Sequence, residues 1–187
     1  SVYHKIVLLN ELYVNPPGID DGEWIELYNN SGQALNLEGW KLVTSRGEFR
    51  LGYQIIKPLG YVVLDKRVTG LRLRNIGGER IGLFDRLGWL VGEAVYTQEA
   101  VEGQSYNWCP QTEEWVWMVK PTPGLANECP LKNELPVAYF ELSSQQAEEG
   151  KIISLDAGES YDPDGKIVSY KWEFSQPVEA MGQVGQV

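Results

Sequence analysis

The sequence predicts an all-β protein, and three observations carry this prediction. Its 187 residues include seven Trp, ten Tyr and four Phe, and aromatic and β-branched residues favour strands. Twenty Gly and ten Pro suit short strands joined by tight turns. Apolar and polar side chains also alternate with a period of two in several short segments, as they do in strands that bury one face.

The clearest strand covers residues 22–29, and turn-forming Asp, Gly, Asn and Ser residues flank it on both sides. Alternation places Ile25 and Leu27 on one face, which we expect to face the core. The other face carries Glu26 between two large aromatic side chains. This acid is the most informative local feature of the chain.

Other strands of the same kind are predicted along the first two thirds of the chain. In order they cover residues 5–14, 34–43, 48–51, 61–65, 71–74, 80–83, 89–96, 105–110 and 114–119. Gly39 is expected to form a bulge within 34–43. Residues 85–88, Asp-Arg-Leu-Gly, are expected to turn the chain between two strands of a hairpin.

The pattern changes after residue 128. Residues 129–136 contain three turn-forming residues, Pro130, Asn133 and Pro136, and little apolar periodicity, so we interpret them as a linker. The sequence therefore predicts a first domain at 1–128 and a second at 137–187. In the second domain, strands are expected at 137–142, 152–155 and 167–174, with a turn at 162–165.

Five motifs of the first domain occur in an order that resembles the lamin tail domain. They are Leu9-Asn10-Glu11, Asn15-Pro16-Pro17, Gly22-Glu23-Trp24-Ile25-Glu26-Leu27-Tyr28-Asn29, Leu37-Glu38-Gly39-Trp40-Lys41-Leu42 and Thr122-Pro123-Gly124-Leu125-Ala126-Asn127. The resemblance implies an immunoglobulin-like β-sandwich over residues 1–128. It also implies a companion module without catalytic residues, of the kind attached in prokaryotes to secreted nucleases, phosphoesterases and cell-surface proteins.

The second domain resembles the first half of the PKD domain, another immunoglobulin-like sandwich of cell-surface proteins and secreted hydrolases. The similar segments are Pro136-Val137-Ala138, Leu155-Asp156-Ala157, Ser160, Asp162-Pro163-Asp164-Gly165 and residues 167–174. Ser175-Gln176-Pro177 stands where that family has a Gly-Asp-Gly turn, so we expect a partial second immunoglobulin-like β unit. Half a sandwich leaves strand edges unpaired, which predicts docking on a partner or on a second copy as a homo-oligomer.

Charge is unevenly distributed. The net charge is -10, which disfavours nucleic acid and anionic membranes as partners of the whole molecule. Residues 41–86, however, hold ten cations and four acids, a net charge of +6, whereas the rest of the chain carries -16. Four arginines of this segment form a candidate polyanion patch: Arg67, Arg72, Arg74 and Arg80. A solvated sheet face is the alternative reading of these arginines.

Two acidic sets are candidate Ca²⁺ ligands, because Ca²⁺ prefers hard oxygen donors. The first set is Glu11, Asp20, Asp21 and Glu26, and the second is Asp156, Asp162 and Asp164. Turn formation by the aspartates is the alternative, with Glu26 held by hydrogen bonds to N–H groups. No cofactor is required by the sequence.

Catalysis has little support in the sequence. The only histidine is His4, near the terminus, and neither a Gly-x-Ser-x-Gly turn nor a phosphate loop is present. No apolar run is long enough to span a membrane, and no signal peptide is predicted.

Trp115 and Trp117 share one face of a predicted strand. On an outer face they would suit stacking on sugar rings.

Cys109 and Cys129 are the only cysteines and are candidates for one disulfide, with two free thiols as the alternative. Together these features predict a non-enzymatic, secreted or cell-surface module that binds or spaces a protein or a surface polymer. The alternatives are an accessory nucleic-acid-binding domain of a secreted nuclease or phosphoesterase, and a carbohydrate-binding module.

Overall fold

A computed structural model of the chain describes residues 5–18, 21–144, 146 and 150–173. The chain divides into two compact units, Ser1–Leu131 and Lys132–Val187. The division falls within the segment that the sequence predicts to be a linker. Each unit is described by itself.

The described part of unit 1 contains eleven strands and one short helix. In chain order they are β1 (Val7–Tyr13), β2 (Trp24–Asn29), β3 (Leu35–Asn36), β4 (Lys41–Thr44), β5 (Gly47–Arg50), β6 (Ile55–Ile56), β7 (Tyr61–Asp65), α1 (Lys66–Thr69), β8 (Glu79–Phe84), β9 (Leu90–Tyr96), β10 (Ser105–Cys109) and β11 (Glu114–Met118). Strand pairing is antiparallel throughout this unit.

Two sheets enclose the core of unit 1. One has the order β11-β10-β1-β2-β7 and the other β5-β4-β8-β9, while β3 pairs only with β6. Alternate residues of both sheets form one apolar cluster, to which Leu12, Leu27, Leu42 and Leu83 contribute. This arrangement confirms the predicted all-β, immunoglobulin-like sandwich.

The strand at 22–29 behaves as its alternation predicts. Ile25 and Leu27 are buried in the core cluster, while Glu26 points away from it. The hairpin prediction is also confirmed, since Asp85 accepts hydrogen bonds from the N–H groups of Leu87 and Trp89. The turn closes at Gly88, which has a φ of 86°.

Two strand predictions are wrong. Residues 34–43 form two strands instead of one with a bulge, because the chain turns between β3 and β4 at Gly39, where φ is 81°. Residues 71–74 form no strand, although Leu71 and Leu73 alternate into the core. The Leu73 N–H donates to the buried Glu23 carboxylate at 3.2 Å, so a side chain replaces a neighbouring strand as its acceptor.

The described part of unit 2 has little regular structure. Its strands are β12 (Glu141–Leu142) and β13 (Leu155–Asp156), which pair with each other, and one bridge joins Val137 to Tyr161. The strands predicted at 137–142 and 152–155 are therefore only partly formed, and 167–173 contains none. Phe174 and Ser175-Gln176-Pro177 lie outside the described residues.

Candidate functional site

Two candidate ligand residues, Glu11 and Glu26, lie side by side in the five-stranded sheet. They are cross-strand partners in the β1–β2 ladder, and each is fully buried. A bulge in β1 next to Glu11 adds Asn10 to the same cluster, where its Nδ2 donates to Glu26 Oε1 at 2.8 Å. We call Asn10, Glu11 and Glu26 the acidic cluster.

A segment from far along the chain closes over this cluster. Residues 121–128, which we call the strap, bring Thr122 to Glu11 and Gly124 to Glu26. The N–H and the hydroxyl of Thr122 each donate to the Glu11 carboxylate, at 2.9 Å. The Gly124 N–H donates to Glu26 Oε2 at 2.5 Å. The strap thus covers the sheet face that alternation alone leaves open.

The far end of the strap is fixed to β10. Asn127 donates to the backbone carbonyls of Asn10 and Trp108, both at 2.9 Å. Two residues later Cys129 forms a disulfide with Cys109, as the sequence predicts. The strap therefore joins β10, β1 and β2 by hydrogen bonds that involve side chains, and the disulfide of Cys129 follows directly after it.

Burial raises the pKa of the Glu26 carboxyl to about 7, and the negative charge of Glu11 acts in the same direction. The hydrogen bonds from Gly124 and Asn10 favour the carboxylate and oppose this shift. Asn10 and Gly124 both donate hydrogen bonds to Glu26 and so favour the ionised carboxylate. Burial favours the protonated, neutral carboxyl. A pKa of about 7 places the titration of the Glu26 carboxyl near neutral pH.

The acidic cluster has the geometry of a structural hydrogen-bond network. Asp21 lies elsewhere, 3.4 Å from the Lys66 Nζ, and Asp20 lies outside the described residues. Within the described ranges no three Asp, Glu, His or Cys side chains are grouped as metal ligands. Calcium binding by the first acidic set stays a prediction.

The second acidic set forms turns in unit 2. Asp156 accepts from the Gly158 N–H at 2.8 Å, and Asp162 accepts from the Asp164 N–H at 3.3 Å. Asp164 accepts from the Glu134 N–H at 3.0 Å. The bonds of Asp156 and Asp162 are the turn formation that the sequence allows as the alternative, whereas Asp164 bonds a residue 30 positions away. Calcium binding here also stays a prediction.

Two of the four candidate arginines pair with acidic side chains, and polyanion binding by the four stays a prediction. Arg67 pairs with Asp65 at the start of α1, at 2.9 Å, and Arg80 pairs across the β8–β9 ladder with Glu93. Arg72 is exposed. Only Arg74 and Arg80 line the same cavity.

This cavity lies on the outer face of the four-stranded sheet and has a volume of about 570 Å³. Its floor is formed by four apolar side chains, Val43, Phe84, Leu90 and Val95. Each of them is next in sequence to a residue whose side chain belongs to the core. Leu90 and Val95 are 44% and 45% exposed. We call these four residues the apolar floor. The outer face of an antiparallel sheet is ordinarily polar, so the apolar floor is unusual.

The Phe84 ring packs against the backbone of Gly82, which has no side chain. A Cβ built on Gly82 would lie 2.7 Å from Phe84 Cε2, which shows that the ring lies directly over the bare backbone of Gly82. Strand alternation alone identifies the positions on this face. The same alternation also predicts the core, so by itself it gives no sign that the opposite face is apolar.

The tryptophans proposed for sugar stacking point inward. Trp115 and Trp117 pack against the core cluster, and their rings contact Tyr106 at centroid distances of 5.2 and 4.8 Å. The condition that they lie on an outer face is therefore not met. Trp89, at the β8–β9 turn, is instead 63% exposed.

The sandwich, the sealed acidic cluster and the open sheet face define an immunoglobulin-like module. A family model described as Lamin Tail Domain matches residues 4–99, just over half of the chain. The chain therefore belongs to the lamin tail domain family, a family of non-catalytic modules. The strap motif lies beyond the matched residues. Among the described residues, no helix has both the length and the apolar character needed to cross a membrane.

Proposed function

We propose that this chain is a non-enzymatic module of a secreted or cell-surface protein, and that it binds polypeptide through the outer face of the four-stranded sheet. The apolar floor carries the proposal. Apolar side chains exposed in the centre of a patch with a charged rim are typical of protein-binding surfaces. The Lys41–Glu48 and Arg80–Glu93 pairs supply that rim.

The disulfide supports the secreted or cell-surface location. Disulfides persist in oxidising compartments and are rare in the cytosol. Cys109, buried in unit 1, is joined to Cys129 across a sequence separation of 20 residues. For unit 2 we propose a partial PKD-like fold, supported by its motifs and by the antiparallel pairing of β12 with β13.

An unfolded, S-carboxymethylated polypeptide is a suitable probe for the binding function. We expect it to bind the wild-type chain, and a Leu90→Ser/Val95→Ser variant to bind about tenfold more weakly, equivalent to about 1.4 kcal/mol. The control is Val68→Ser/Val101→Ser, which removes two exposed apolar side chains that do not line the cavity. Fluorescence anisotropy of the labelled probe measures the affinities.

The same assay includes duplex DNA and a soluble polysaccharide. Tight binding of either one, with no binding of the polypeptide, would contradict the proposal. So would equal affinities of the wild-type chain and the Leu90→Ser/Val95→Ser variant for the polypeptide.

A further inference from the structure

Arg74 stands out among the charged residues that line the cavity. Arg80 pairs with Glu93, and Glu79 accepts two hydrogen bonds from Ser45, both at 3.0 Å. For Arg74 the described part of the chain supplies neither an ion pair nor a side-chain hydrogen bond. Its Nε is buried without a partner. The Arg74 Nε–H has therefore lost hydration without gaining an acceptor among the described residues.

The position of Arg74 is fixed by its backbone. The Arg74 carbonyl accepts the hydroxyl of the buried Tyr96 at 2.8 Å. On the other side, a Cβ built on Gly77 would lie 3.5 Å from the Arg74 guanidinium. The guanidinium therefore rests against a glycine turn at one end of the cavity. A planar fork of donors held in this way is suited to a carboxylate.

From this geometry we infer that the partner is an extended acidic peptide, whose carboxylate pairs with Arg74 while its apolar side chains cover the apolar floor. The inference rests on the proposed function and names the chemistry of the partner. Two observations select this occupant: the guanidinium without an acceptor and the exposed apolar floor. Of the two arginines and two glutamates that line the cavity, Arg80 pairs with Glu93 and Glu79 accepts from Ser45, which leaves Arg74 as the charge available to an acidic partner.

Three labelled octapeptides test the inference on the full chain: (Leu-Glu)₄, (Leu-Ser)₄ and (Leu-Lys)₄. All three carry the same apolar side chains, so differences between them report on charge. We expect (Leu-Glu)₄ to bind at least tenfold more tightly than (Leu-Ser)₄, and (Leu-Lys)₄ to bind most weakly. In Arg74→Gln the advantage of (Leu-Glu)₄ over (Leu-Ser)₄ should shrink to about threefold or less, as in a double-mutant cycle.

The matched control is Arg72→Gln. It removes the same charge two residues away, but Arg72 does not line the cavity, so the preference for (Leu-Glu)₄ should persist. Arg74→Lys keeps the charge without the planar fork and should retain only part of the preference. Thermal melting of each variant identifies any loss of folding.

The outcomes separate this inference from the proposed function. If the three peptides bind equally and all lose affinity in Leu90→Ser/Val95→Ser, the binding function stands and the acidic partner is wrong. Equal effects of Arg72→Gln and Arg74→Gln would likewise overturn the inference, because they indicate a diffuse charge effect. Tighter binding of duplex DNA than of (Leu-Glu)₄ would overturn it in favour of a nucleic-acid partner. If none of the three peptides binds, the proposed polypeptide-binding function and the acidic partner are both wrong.

Discussion

Glu26 links the stability of unit 1 to pH. The carboxyl is fully buried, and its pKa is raised from 4.5 to about 7, mainly by burial. The folded state therefore holds a proton that the unfolded state releases between these two values. The contribution of Glu26 to stability is full below pH 4.5 and is lost as pH rises through about 7.

The first prediction compares the wild-type chain with Glu26→Gln. The free energy of unfolding of the wild type, relative to that of the variant, should fall as pH rises from about 4.5 to about 7. A single proton limits the slope to about 1.4 kcal/mol per pH unit. Urea unfolding at several pH values measures it, with Glu48→Gln, an exposed carboxylate on β5, as the control. A relative stability that rises with pH in this window would show that hydrogen bonding outweighs burial.

Gly78 lies in the turn beside Arg74. Both its backbone conformation and the space around its Cα exclude a side chain. Its φ is 74°, and an added Cβ would lie 2.6 Å from the Tyr96 carbonyl oxygen. We predict that Gly78→Ala lowers the free energy of unfolding by about 3 kcal/mol or more. Gly88→Ala has the same backbone strain with open space around the Cβ, so its loss should be about 1 kcal/mol. Equal losses in urea unfolding would show that the backbone near Gly78 relaxes.

The strap is the element that closes unit 1. Its bonds to the sheet are directed at side chains, Glu11 and Glu26, that lie 111 and 98 residues away in sequence. Each bond gives a buried carboxyl oxygen a donor, and a buried polar atom left without one would cost free energy. The strap therefore stabilises the sandwich without adding a strand to it.

A third prediction removes one bond of the strap. Thr122→Val keeps the shape of the side chain and the backbone N–H, but removes the hydroxyl that donates to Glu11 at 2.9 Å. The free energy of unfolding should fall by about 1–3 kcal/mol. Thr112→Val is the control, since that hydroxyl makes a 3.4 Å contact with a backbone carbonyl and its loss should cost less than about 0.5 kcal/mol. If the two variants are equally stable, the Thr122 hydroxyl bond makes no net contribution.

The exposed apolar side chains of unit 2 bear on whether copies of the molecule associate in solution. Its cavity of about 560 Å³ is lined by apolar side chains, among them Phe140 and Leu142, which are 55% and 43% exposed. Exposed apolar surface of this kind favours association. Our proposal for this unit is that it mediates docking between copies of the chain.

The fourth prediction tests this docking by sedimentation velocity. The wild-type chain should show concentration-dependent association, and Phe140→Ser/Leu142→Ser should weaken it about tenfold, equivalent to about 1.4 kcal/mol. Ile152→Ser/Val168→Ser is the control, because these two residues are exposed but do not line the cavity. A strict monomer at high concentration, or equal weakening by both variants, would contradict the proposal.

Local sequence patterns are enough to predict the strands whose apolar residues alternate. Ile25 and Leu27 were placed in the core correctly, the turn at Gly88 was located, and two cysteines left one pairing. These features depend on neighbours in sequence, where a period of two and turn chemistry act. Residues 71–74 show the limit of such patterns, because a buried carboxylate from residue 23 replaced the expected strand neighbour.

Long-range packing, by contrast, sets which sheet face is covered. Alternation assigns Glu26 and Phe84 equally to faces directed away from the core, yet the strap seals Glu26 while Phe84 lines an open cavity. Contacts between Gly124 and Glu26 span 98 residues, and no local pattern encodes them. Local patterns therefore predict the sandwich, whereas long-range packing makes one acid structural and leaves the Arg74 Nε buried without a hydrogen-bond partner among the described residues.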